Sequence, residues 1–230
     1  MSGQDESWIK FLGTAGARFV VIKQLRASGG TWVKMGQTQI LIDPGPGTLV
    51  RCASSRPRLD PGQLSGIVLT HRHLDHANDV NVMIEAMTDG GFKRRGVLVA
   101  PRDALEEDPV VLRYCRGFLE KVLILEEKGE YEVGEVRVQA PIRHQHGVET
   151  YGLYLRSQGL PTVAFVVDTR YFDGLCSAYA GADVLILNTV RYDRGRATPD
   201  EIQHLNLSDA ERLISAVRPR VAVLTHFGMT

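Results

Sequence analysis

The stretch Ile67-Val68-Leu69-Thr70-His71-Arg72-His73-Leu74-Asp75-His76 sets a short apolar run directly before three histidines and an aspartate. Ile67–Leu69 reads as a buried strand that delivers Thr70 and His71 to its C-terminal end. Residues two apart on extended chain point the same way, so His71 and His73 can hold one cation together. Asp75 and His76 fall where the chain turns towards a helix over Asn78–Thr88, with Val80, Met83, Ile84 and Met87 at helical spacing. There they can reach a second cation close by. Imidazole and carboxylate together suit zinc, iron or manganese. A solvated polar turn is a poor account of four such side chains in six residues.

Working outward, Trp8–Leu12, Thr31–Lys34 and Gln39–Ile42 read as strands separated by Gly-rich turns, and Pro44-Gly45-Pro46-Gly47 stops the third. Val97–Ala100, Val122–Leu125, Glu135–Ala140 and Gly152–Arg156 follow as strands. Thr162–Val167 ends on Asp168, Val184–Leu187 runs into Asn188, and Val221–Leu224 ends on Thr225 and His226. Ser208–Val217 is an amphipathic helix, with Ser208 as expected N-cap and Glu211 completing a capping box. Strand meanders punctuated by helices predict two mixed sheets packed face to face, with helices outside. No linker or low-complexity tract divides the chain, which predicts a single domain over residues 1–230. Arg102–Gly117 is the least regular part and the expected loop or small cap over a site.

Composition narrows the partners. Lys plus Arg and Asp plus Glu number 27 each in 230 residues, for a formal net charge of zero. A generic nucleic-acid coat would be basic. Cys52, Cys115 and Cys176 lie more than sixty residues apart, so neither a disulfide framework nor a CxxC zinc site is expected. They read as reduced thiols of a cytoplasmic protein. The first residues, MSGQDESWIKF, show no signal peptide. No apolar segment approaches the roughly 18–20 residues that would span a membrane.

Asp168 and His226 stand at strand ends as His71 does, and a carboxylate closing an apolar run needs a partner or a metal. His144 and His146 flank Gln145, and one of them suffices as third ligand of the first cation. His146 is preferred, since Gly147 gives it a tight turn; His144 then supports it or contacts substrate.

These residues resemble the metallo-β-lactamase superfamily, whose His-x-His-x-Asp-His signature stands here as HRHLDH. FLGTAGA (11–17) is similar to that superfamily's opening strand and turn, and ILIDPGPG (40–47) to its aspartate-bearing strand end. The resemblance implies an α+β fold, a four-layer αββα sandwich of two mixed β-sheets with helices outside. It also implies two divalent metal ions, zinc first and manganese or iron as alternatives. His71, His73 and His146 would hold one, and Asp75, His76 and His226 the other. Asp168 would bridge them beside a hydroxide that acts as nucleophile, metal binding having lowered the pKa of water.

The ending resembles the ribonuclease Z and cyclic-phosphodiesterase group. That implies His204 as the group that stabilises the phosphoryl oxygens or protonates the leaving oxygen. VVDTRYF around Asp168 points the same way. Asp75 and His204 are thus the expected catalytic groups. Arg170, Arg191, Arg194 and Arg196 follow strand ends, and Arg170 and Arg191, with His144, are the expected substrate-binding residues. Two departures matter. Only 21 residues separate His146 from Asp168, leaving no room for ribonuclease Z's transfer-RNA arm, and Ala164 stands where that group carries a glutamate facing the histidine matched by His204. A small or cyclic phosphodiester is therefore the expected substrate rather than transfer RNA. Hydrolysis of a carboxylic ester, lactone, lactam or thioester is the alternative, followed by a non-catalytic metal sensor. No flavin module accompanies the domain for a di-iron redox role. A homodimer is an open assembly.

Overall fold

The computed structural model of the chain describes residues 6–193 and 203–229. Its first sheet runs β1 (Trp8–Phe11), β2 (Thr31–Met35), β3 (Thr38–Ile42), β4 (Gly66–Val68), β5 (Val97–Pro101) and β6 (Lys121–Leu125), in that order across the sheet. The pairs β1/β2 and β2/β3 are antiparallel, and those from β3 to β6 are parallel. The second sheet holds β7 (Glu130–Val133), β8 (Val136–Gln139), β9 (Leu153–Arg156), β10 (Val163–Val166), β11 (Val184–Arg191), β12 (Leu205–Asn206) and β13 (Val221–Thr225). From β7 to β10 it is an antiparallel meander; β11 then runs parallel to β10, β12 and β13.

Three apolar cores separate four layers, as the αββα reading expects. Period-two alternation sends neighbouring side chains to opposite faces. On β2 and β3, Trp32 and Leu41 face the outer helices while Val33, Ile40 and Ile42 face the other sheet. On β10, Val163 and Phe165 enter the inter-sheet core, and Ala164 and Val166 the outer one. Both faces are buried, which is why these strands read as unbroken apolar runs. A slip of one residue would exchange Trp32 with Val33 across the sheet, so packing fixes the register.

The local differences from the sequence reading have physical causes. Helix Leu207–Val217 is capped by Asn206, whose side chain accepts from the Asp209 amide at 2.9 Å, while Asp209 Oδ2 accepts from the Asn206 amide at 3.2 Å. That capping box sits two residues before the expected Ser208/Glu211 pair, because Leu205 and Asn206 first pair with β11. The hairpin strand β7 was not expected; its sequence EYEV is half charged. Helix Arg18–Ile22 occupies what read only as a Gly-rich connection. Segment 102–117 forms two single-turn helices, Arg102–Leu105 and Arg113–Arg116, tied together by Arg116 donating to the carbonyls of Leu105 and Val111. No helix among the described residues is long and apolar enough to cross a membrane.

Candidate metal centre

Parallel strands bring their C-terminal ends to one edge, where α/β sheets present their ligands. Asp43 follows β3, His71 follows β4, Asp168 lies just past β10, Asn188 lies on β11 and His226 follows β13. His73 precedes the turn Leu74–Ala77, which carries Asp75 and His76. His146 comes from the loop between β8 and β9, and His204 immediately precedes β12. Two glycines let these loops approach. A Cβ on Gly45 would overlap the Asp75 carbonyl oxygen, and one on Gly16 the His226 carbonyl. Asp43 and His226 themselves sit at φ of 50° and 62°, a strained region that surrounding packing must hold.

The potential ligand atoms of His71, His73 and His146 lie within 4.8 Å of one another, as do those of Asp75, His76 and His226. Asp168 faces both groups. Its Oδ2 is 3.9 Å from His71 Nε2, 3.8 Å from His146 Nε2 and 3.5 Å from His76 Nε2, and its Oδ1 is 3.4 Å from His226 Nε2. His204 Nε2 lies 3.1 Å from Asp168 Oδ2, and Asn188 Nδ2 donates to Asp168 Oδ1 at 2.9 Å.

The outer nitrogens of three rings are anchored, which aims the inner ones. Asp43 Oδ2 accepts from His76 Nδ1 at 2.9 Å and from Thr70 Oγ1 at 2.6 Å, and Asp43 Oδ1 accepts from the Thr70 amide. Thr70 Oγ1 in turn sits 3.1 Å from His71 Nδ1. His146 Nδ1 faces the Gln203 carbonyl at 3.0 Å. A donating Nδ1–H fixes the tautomer and leaves the Nε2 lone pair for a cation. Sequence reading placed Asp43 only within a motif and gave Thr70 and Asn188 no role. Their signal was their position at the ends of the same strands.

A metal fits this arrangement. His71 Nε2, His76 Nε2 and His226 Nε2 are buried and make no hydrogen bond among the described residues, a cost that binding a cation would recover. His73 Nδ1 and His146 Nε2 meet at 3.0 Å. Burial holds the pKa of His71 well below its ordinary value, lowers that of His73, and brings His146 down to about 4. His76 and His204 go the other way. Burial opposes their charged forms, but Asp168 outweighs it, helped at His76 by Asp75 and Asp43, and raises both. Burial alone would raise the pKa of Asp168; the surrounding His226, His204 and His76 hold it well below the usual carboxylate range.

The remaining expected residues sit further out. His144 is 3% exposed and its Nε2 is 2.7 Å from the Tyr179 hydroxyl; burial brings its pKa down to about 3. Arg170 Nε donates to Gln145 Oε1 at 2.6 Å. Arg191 lines a separate cavity with Arg26, Tyr192 and Phe227. Arg194 and Arg196 lie outside the described residues. Ala164 is fully buried in the outer core, so the carboxylate that His204 meets is Asp168.

Residues 38–227 match the family model described as the beta-lactamase superfamily domain. Protein MJ1374 of Methanocaldococcus jannaschii is 28% identical over 96% of this chain and 83% of its own. Among solved structures, the short form of human tRNase Z superposes with a TM-score of 0.73 at 20% identity, over 96% of this chain and 92% of that one. A diphosphatase of the PhnP family gives 0.71 at 20% identity, over 96% and 85%. With the fold, the converging histidines and carboxylates and the family match in agreement, the chain belongs to the metallo-β-lactamase superfamily.

Proposed function

We propose that this chain is a two-metal phosphodiesterase that hydrolyses a small or cyclic phosphodiester. The observation that carries the reading is His204, poised 3.1 Å from Asp168 at the lip of a cavity of about 550 Å³ that also exposes His73, Asp75 and His146. His71, His73 and His146 would hold one divalent ion, and Asp75, His76 and His226 the second, with Asp168 facing both; zinc is the first choice. When bound, the ions would supply a water acidified towards neutrality and positive charge against the phosphoryl oxygens. His204, whose pKa Asp168 raises against its burial, donates its proton to the leaving oxygen. Asp75 orients the second group, and His144 backs the His146 loop from within the core.

Two relatives by fold are named for acting on phosphate compounds, a tRNase and a diphosphatase of the PhnP family. The balanced net charge favours a small substrate over transfer RNA, and the cavity volume suits one. The test is metal analysis joined to a substrate panel of bis-p-nitrophenyl phosphate, a lactone, a β-lactam and a thioester. We expect close to two ions per chain and turnover of the diester. Turnover of carboxyl substrates alone would overturn the reading, as would a protein that stays metal-free after zinc or manganese is added.

A further inference from the structure

Helix Arg18–Ile22 stands between two cavities that share Arg18, His73 and Asp75. The first, of about 550 Å³, is the polar one with His146, Asp168 and His204. The second, of about 580 Å³, is walled by Val21, Ile22, Pro46, Leu74 and Val110 and does not reach His204. Ile22 and Leu74 are 70% and 64% exposed, a large apolar surface to leave in water beside a reactive centre. The charge at this rim is uneven. Arg72 is engaged, its guanidinium 3.4 Å from Asp108 and donating to the Asp103 carbonyl. Arg18, on the ridge between the cavities, makes no ion pair or hydrogen bond to any described side chain.

Resting on the phosphodiesterase reading, we infer that the apolar cavity seats the alcohol that stays on phosphorus, that it takes an aromatic or branched apolar group there, and that Arg18 binds a nonbridging phosphate oxygen at the junction. The geometry sets the direction. His204 lines only the polar cavity, so the oxygen it protonates leaves on that side and the retained substituent points over His73 into the other. As the oxygen of water adds to phosphorus, the P–O bond to the leaving alcohol breaks. His204 gives that alcohol its proton, and a proton released from the water restores His204. The product is a monoester still carrying the apolar group. A guanidinium is suited to a nonbridging oxygen pair because its donors form a planar fork.

The test uses methyl 4-nitrophenyl phosphate and phenyl 4-nitrophenyl phosphate with the metal-loaded protein. Both lose 4-nitrophenolate and differ in the group retained. We expect kcat/KM for the phenyl diester to exceed that for the methyl diester by about tenfold or more, the usual reward for filling an apolar pocket. Ile22→Ser and Leu74→Ser, both at exposed positions that leave the cores intact, should narrow the ratio to within about threefold. Arg18→Ala should lower kcat/KM for both diesters by about tenfold, with Arg18→Lys recovering part. Calorimetry supplies a readout apart from turnover: diphenyl phosphate should bind more tightly than dimethyl phosphate, and Ile22→Ser should erase the difference. A wild-type ratio near one, or a ratio that neither serine variant moves, overturns the inference while leaving the phosphodiesterase standing. If neither diester reacts and a lactone does, the reading of the reaction fails and takes this inference with it.

Discussion

The two proposed ligand groups around Asp168 differ in their electrostatics. His71, His73 and His146 are three imidazoles whose pKa values burial depresses, so the group is already in its neutral, metal-ready form at neutral pH. Asp75, His76 and His226 sit among carboxylates, and Asp168, Asp75 and Asp43 raise the pKa of His76 against its burial. A ligand must be deprotonated to bind. The first group would therefore meet little competition from protons, whereas in the second the neighbouring carboxylates favour a proton on His76 that a cation would have to displace. Two halves of the proposed centre, a few ångströms apart, differ in how strongly protons compete for their nitrogens.

The sharpest way to break this comparison is to remove the member that both halves share. Asp168→Ala should lose both ions by metal analysis and lower kcat/KM on a diester by about three orders of magnitude or more; a variant that keeps two ions would show that the halves do not depend on Asp168. His204→Gln should lower kcat by about a hundredfold or more with metal content unchanged, since the residue belongs to neither half. If metal content falls with it, His204 is a ligand and the division is wrong.

Asp43→Asn attacks one half alone. Its side chain anchors His76 directly and reaches His71 only through Thr70, so one ion should bind about ten- to a hundredfold more weakly while the other is held. Equal weakening of both would erase the contrast. The pH dependence follows from the same shifts. A raised His76 pKa lets protons compete sooner as pH falls, so equilibrium dialysis from neutral towards pH 5 should show the second ion leaving first.

The smallest effect concerns His144 in the metal-free protein. Its folded pKa of about 3 lies below the unfolded value near 6.5, so the unfolded chain binds a proton that the folded one does not. The stability this neutral ring provides is complete above pH 6.5 and is lost as pH falls towards 3, by about 2 kcal/mol at pH 5. Denaturant titrations of wild type and His144→Gln should differ in slope over that window. Identical slopes would mean that His144 is not held neutral in the folded protein.

Much of the centre was legible because buried strands advertise themselves. Thr162–Val167 is apolar on both faces, so Asp168 after it had to be a turn residue or part of a site. His71 and His226 announced themselves in the same way. Asp43 was harder to interpret, since an aspartate before Pro-Gly-Pro-Gly also fits a simple turn; only the parallel pairing of β3 with β4 brings it beside Thr70. Helix Arg18–Ile22 was missed because one turn is too short to show a period, and its buried Val20 and Val21 are adjacent rather than spaced. The capping register failed because Asn206-Leu-Ser-Asp209 and Ser208-Asp-Ala-Glu211 satisfy the same pattern, and pairing to β11 chooses between them.

The bridge between Ala15 and Phe227, closed by Gly16 donating to the Phe227 carbonyl and Phe227 to the Thr14 carbonyl, ties the turn after β1 to the segment bearing His226. On a ribosome these partners emerge at very different times. At roughly 5–20 residues per second, His226 follows His76 by on the order of ten seconds. Until then the nascent chain can display His71, His73 and, once it is made, His146, but not the residue that completes the second half, so the two halves of the proposed centre become available in order, the all-histidine one first.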